Sequence, residues 1–219
     1  MGNVKKSLVL AGILLAVNAI VTVAFLCVLP DQVPVHFGAS GAADRIGSKY
    51  ENLSLLAIAL ILGIVLALCG LFGKGSNRAT MARLAVGMQA IFILVGLFIF
   101  LNQLRYDGNA ATASAPDFDM SQISAIVIGS TFLLMGYFMP RSTRNAVFGI
   151  RVPWTQKSDE AWARAHRFGG TVTVAAGAMI VLAGVVLKGS AAFVALAVVF
   201  IAWTLACLIG SYAVCKHIS

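Results

Sequence analysis

The chain has 219 residues, of which 60% are apolar and only 11% charged, with a net charge of +8. Soluble domains carry about 25% charged and 45–50% apolar residues, so an ordinary water-soluble globule is excluded. The apolar excess falls in long blocks, and a helix needs roughly 20 apolar residues to cross the hydrocarbon core. Six segments meet that need: 7–29, 52–73, 84–104, 120–139, 169–187 and 191–214, none holding Asp, Glu, Lys or Arg. Backbone groups in lipid must bond within their own segment, so these blocks read as helices. The alternating ten-residue pattern of a membrane barrel is absent. The expected fold class is an all-α integral membrane protein with six transmembrane helices.

The first block follows Lys5 and Lys6, as a signal peptide would, but its apolar run continues to Leu29. A signal core is about 7–15 residues long and ends at a small-residue cleavage site. The bulky Ala24-Phe25-Leu26 before Cys27 does not fit one. We therefore read a retained helix. Orientation follows from Lys and Arg, because short cationic loops stay cytoplasmic. With the N-terminus inside, twelve cations face the cytoplasm: Lys5, Lys6, Lys74, Arg78, Arg83, Arg141, Arg144, Arg151, Lys157, Arg164, Arg167 and Lys216. Four face outward, Arg45, Lys49, Arg105 and Lys188, which accounts for all 16. Both termini are expected to be cytoplasmic. The positive charge is then a sign of topology, and direct nucleic-acid binding is not expected.

Ionisable side chains at membrane depth mark ion and proton pathways, and these helix interiors have none, which argues against a proton-coupled transporter. Asn18, Thr22, Gln89, Asn102, Thr131, Thr171, Thr173 and Thr204 are expected to make interhelical hydrogen bonds. Asn18 is the most conspicuous of them. Glycines recur seven apart (Gly63 and Gly70, Gly129 and Gly136, Gly177 and Gly184), which places each pair on one helix face for close packing. Cys27, Cys69, Cys207 and Cys215 show no paired spacing and read as small hydrophobes. No metal or cofactor is expected.

The outer loop 30–51 begins with Pro30 and Pro34, and Val33, Val35 and Phe37 alternate with Pro34 and His36. That pattern predicts a short extended arm, and the small residues 38–43 a tight return. His36, Asp44 and Arg45 are the polar candidates for binding a ligand. The plainer reading has Asp44 and Arg45 bonding the turn and holding the loop on the helix ends. One histidine with scattered Asp31, Asp44 and Glu51 makes a weak metal site.

The inner loop 140–168 is the longest polar segment. Ser158 suits a helix N-cap, Asp159 and Glu160 its first turn, and Arg164 and Arg167 its far side. Trp162, Ala165, His166 and Gly169 fall at i, i+3, i+4 and i+7, so a short helix leads into the fifth span. Trp154, Trp162 and six cations suit an interface with anionic membrane lipids. Gly149-Ile150-Arg151-Val152-Pro153-Trp154 is too particular for lipid contact alone. Asn145, Gly149, Arg151, Pro153, Trp154, Trp162 and His166 are the functional candidates here.

This inner-loop run, with Asn145, Phe148 to Arg151, Pro153-Trp154-Thr155, Trp162 and His166-Arg167, resembles the SdpI family. The outer run Pro34, His36-Phe37, Gly41, Asp44-Arg45 and Gly47-Ser48-Lys49 resembles the uncharacterised domain that precedes it in many members. Ala43 departs from the proline expected before Asp44. The resemblance implies membrane immunity and signal transduction: resistance to an extracellular toxic peptide, with a cytoplasmic repressor as inner partner. It also implies a two-helix unit 1–83 followed by a four-helix unit 84–219. Two other classes compete. One is a transporter or exporter of a small amphipathic substrate; the other is an enzyme acting on a lipid or cell-wall precursor. The second lacks any recognisable nucleophile and base pair, so no catalytic residue is assigned.

Overall fold

A computed structural model describes residues 2–106 and 120–218. It contains six long apolar helices: α1 (Gly2–Val28), α2 (Leu53–Phe72), α3 (Asn77–Leu104), α4 (Met120–Phe138), α5 (Asp159–Val186) and α6 (Gly189–Cys215). All six expected segments are helical. The stretch 107–119, which the charge count assigns to the outer side, lies outside the described residues. The predicted short helix over 159–168 is continuous with the fifth span, because no residue there breaks the turn and Ser158 caps the start at Ala161 N–H (3.2 Å).

Between α1 and α2 the chain forms an antiparallel hairpin, β1 (Gln32–Phe37) and β2 (Ala43–Ser48). A single helical turn, Lys49–Asn52, leads from it into α2. We call this end of the molecule the hairpin face and the end carrying 139–158 the loop face. The hairpin rests on a small core in which Leu29, Val33 and Phe100 are buried, and Phe25 stacks on Phe100 at 4.8 Å. α3 packs against α1 and α2, and only lightly against α4. The boundary expected at 83/84 falls inside α3.

The glycine pairs serve close packing. Cβ atoms added at Gly129, Gly136, Gly170 and Gly177 would come within 2.9 Å of the partner helix in the α4–α5 contact. Gly63 leaves room for the Gln89 amide, whose Nε2 donates to Ala59 O at 2.8 Å across α2 and α3. The threonines correct the expectation of interhelical bonds. Thr22, Thr131, Thr171 and Thr204 each donate to the carbonyl four residues earlier in their own helix. A β-branched hydroxyl lies next to that carbonyl and takes it before a neighbouring helix can compete. Thr173 does both, donating to Gly169 O and accepting from Trp203 Nε1 at 2.9 Å. Asn18 is buried, and its Nδ2 finds no acceptor among the described residues.

Candidate functional site: two faces joined by one helix

On the hairpin face, Gly41 takes a left-handed backbone (φ 82°) and the Gly38 and Ala42 backbones close the tip at 2.9 Å. Register brings His36 opposite Arg45 and leaves Asp44 beside His36. His36 Nδ1–H donates to Asp44 at 2.5 Å, with 63% and 51% of the two side chains exposed. Arg45 forms a two-pronged bond to Glu51, at 3.3 and 2.8 Å, which holds its guanidinium above its ordinary pKa range. Lys49 anchors the base of the hairpin, donating to Leu29 O and pairing with Asp31. The predicted arm and return are present, and all three outer candidates point into solvent. Among the described residues no three His, Cys, Asp or Glu side chains gather closely enough to hold a metal ion.

Two crevices flank the hairpin. One, of about 280 Å³, lies over α2 and α3 and is lined by Pro34, Phe37, Arg45, Glu51 and Gln103. The other, of about 160 Å³, lies toward α4 and α6 and includes Phe37, Ala39, Ser124 and Phe193. Phe37 and Met120 line both. Each crevice therefore combines an apolar wall with a few polar groups, the usual make-up of a small-ligand site.

The loop face is built differently. Asn145 closes a turn, its Oδ1 accepting from Val147 and Phe148 N–H at 2.8 Å each while Nδ2 donates to Thr143 O. Phe148 is thereby carried into the core formed by α1, α2, α3 and the end of α4. Gly149 follows with φ +122°, and a Cβ there would stand 2.0 Å from His166 Nε2. Only glycine permits both the backbone angle and the approach. His166 is fully buried, stacked on Trp162 at 3.8 Å. Ile150 N–H donates to its Nε2 at 2.9 Å, so that nitrogen carries no proton; Nδ1–H therefore donates to Trp162 O at 2.8 Å. The histidine is held neutral, in one tautomer, by two backbone groups.

The rest of the loop is tied down similarly. Trp162 Nε1 donates to Ser142 O at 2.9 Å, and buried Thr155 lies 2.7 Å from Ile150 O. Trp154 reaches α6, donating to Ser211 Oγ at 3.0 Å and meeting Tyr212 edge-on. Arg144 joins the two ends of the loop, bonding Gln156 O and pairing with Asp159. Arg151 is not tied down in this way. Its exposed guanidinium has no hydrogen bond or ion pair among the described residues, and Pro153 beside it is exposed too. Asn145, Thr155 and His166 already satisfy the loop's own backbone at Phe148 and Ile150.

Sequence reasoning missed the residues that connect these faces. At one end of α3, buried Gln103 donates to Pro34 O of the hairpin (3.0 Å) and exchanges bonds with Asn52 (2.9 and 3.2 Å). At the other end, Asn77 accepts from Thr143 N–H (2.8 Å) and Thr80 donates to Arg141 O (3.2 Å). α3 thus touches both loops through side-chain hydrogen bonds. The only signal in the sequence was polar residues at the ends of an apolar run, with partners 51 to 69 positions away.

Two family matches between them take in the hairpin and most of the inner loop. Residues 141–211 match the SdpI/YfhL protein family, and residues 13–66 match a domain of unknown function, DUF1648. The chain is also 19% identical to the immunity protein SdpI of Bacillus subtilis (strain 168) over 175 residues, 80% of each chain. No solved structure matches. The resemblance drawn from the two loop motifs is borne out, and with six apolar helices the SdpI-like protein is a multi-pass protein of the cell membrane.

Proposed function

We propose that this protein confers immunity to an extracellular toxic peptide, which it meets at the hairpin face. The observation that carries the reading is the hairpin itself. It is pinned to the helices by Gln103 and Lys49, yet keeps two exposed polar pairs beside two part-apolar crevices. A rigid surface with this mixture suits an amphipathic peptide, because little ordering cost is left to binding. The name of the Bacillus subtilis relative supports the same role. In this reading the hairpin face is outside and the loop face, richer in Lys and Arg, is cytoplasmic. The unpaired Arg151 beside Pro153 then faces a cytoplasmic partner, a repressor in the fullest form of the proposal.

Deleting the gene and screening survival against secreted peptides and membrane-active antibiotics tests the role. Selective sensitivity to a peptide, reversed by the wild-type chain and not by one with His36→Ala and Asp44→Asn, is the expected result. Unchanged survival against every peptide, with altered solute accumulation instead, would favour transport. Reporters fused after Gly41 and Lys157 test orientation. A cytoplasmic signal at Gly41 overturns the assignment of the faces.

A further inference from the structure

A cleft between the loop-face ends of α5 and α6 is used by nothing described so far. It has a volume of about 560 Å³, with Arg164, Arg167 and His217 at its rim and Phe168, Val172 and Val214 in its floor. Among the described residues no carboxylate lines it. Arg164 is engaged by Glu160 at 2.6 Å, whereas the exposed guanidinium of Arg167 has no partner among the described residues. Lys216, next to His217, adds an exposed cation. The floor is fixed in place: the Phe168 ring sits in a notch at Gly210, where an added Cβ would lie 2.0 Å from it.

Position settles the kind of occupant. Phe168 stands where the charged start of α5 gives way to its apolar run, and Val214 where the apolar run of α6 ends. The cleft therefore straddles the boundary between headgroups and hydrocarbon. Its occupant must be anionic at one end and apolar at the other. A soluble anion would leave the apolar floor unused, and a helix about 10 Å across would sit on the cleft and not in it. We propose that the cleft holds one anionic phospholipid, its phosphate between Arg167 and His217 and an acyl chain along Val172 and Ala213. Bidentate bonding suits the planar guanidinium of Arg167 to a phosphate. The inference is independent of the immunity reading, and neither depends on the other's outcome.

Native mass spectrometry of the purified full chain in neutral detergent, titrated with phosphatidylglycerol and with phosphatidylcholine, tests it. One phosphatidylglycerol is expected to stay bound in preference to phosphatidylcholine. Arg167→Gln should weaken retention about 5-fold, the effect of one cation near a membrane surface. Ala213→Trp, at an exposed position, fills the floor while leaving every charge in place, and should displace the lipid as well. Lys5→Gln with Lys6→Gln removes two cations from the same end outside the cleft and should change nothing. Equal retention of the two lipids overturns the proposal. So does a loss with the Lys5 and Lys6 pair as large as with Arg167→Gln, an unaffected Ala213→Trp, or full displacement by inorganic phosphate.

Discussion

The two faces use polar residues in opposite ways. On the loop face, Asn145, Thr155, Trp162 and His166 are spent on backbone groups of the loop itself, and Trp154 on α6. On the hairpin face, His36, Asp44, Arg45 and Glu51 bond one another in solvent while the backbone is supported from below by Gln103 and Lys49. A distinctive motif can thus mark either a fold that must be kept or a surface that is offered. The inner motif is mostly the first kind, and the outer one the second. Substitutions should therefore cost stability on the loop face and selectivity on the hairpin face.

The largest effect is expected at Gly149. Gly149→Ala forces a Cβ onto His166 Nε2 at a backbone angle unsuited to any other residue, and should cost on the order of 3 kcal/mol or more. Thermal unfolding in detergent would read it as a markedly lower Tm. An unchanged Tm would mean that the loop is looser than its hydrogen bonds imply. His166→Ala comes next. It strips the acceptor from Ile150 N–H and empties the stack on Trp162, for roughly 2–4 kcal/mol. His166→Gln, which can restore an acceptor, should recover part of that loss.

Arg151→Ala breaks the pattern on the loop face. With no partner among the described residues, its removal should move stability by less than about 0.5 kcal/mol yet abolish the cellular response. Arg151→Lys should fail too if a partner reads the planar guanidinium. Full rescue by lysine would reduce Arg151 to a lipid-attracting charge. Asn77→Leu separates the faces at α3: peptide binding at the hairpin should survive while the response weakens, within the usual coupling of about 1–3 kcal/mol. If binding and response fall together, α3 is not the link.

Much of this was legible in the sequence because lipid is a simple solvent. Six uncharged apolar blocks could only be helices, and Ser158 with Asp159 and Glu160 marked a helix start that the fold keeps. Glycines seven apart announced close contact, although not which helix would meet which. Harder to read was anything that depends on distant partners. Nothing local at Gln103 points to Pro34 O, or at Asn77 to Thr143 N–H, since both pairings arise only after the helices assemble. The inner motif shows the same dependence: Trp162 and His166 have the chemistry of a binding site, and only the assembled fold buries both against the loop backbone.

The smallest stability effect, and the sharpest test of the comparison, belongs to Arg45 and Glu51. Their pair is two-pronged but exposed, with 55% and 41% of the side chains open to solvent. Either single change, Arg45→Ala or Glu51→Ala, leaves one charge unmatched at the edge of the crevice that both residues line. Exchanging them, Arg45→Glu with Glu51→Arg, keeps the pair, the charge and nearly the same volume while reversing the field along that crevice. Exposed pairs contribute little to folding, so Tm should stay at the wild-type value. Recognition, in contrast, follows the sign and position of charge, and like-charge contacts discriminate strongly between partners. The exchanged protein should therefore bind its peptide more weakly, or favour one of opposite charge order, while folding normally. Measuring labelled-peptide binding to cells alongside Tm in detergent distinguishes the outcomes. Wild-type binding with the pair reversed would mean that this crevice does not read charge, leaving His36, Asp44 and the crevice beyond Phe37 to account for recognition. A lower Tm would mean that the hairpin's polar pairs are part of its frame, and the contrast between the two faces would disappear.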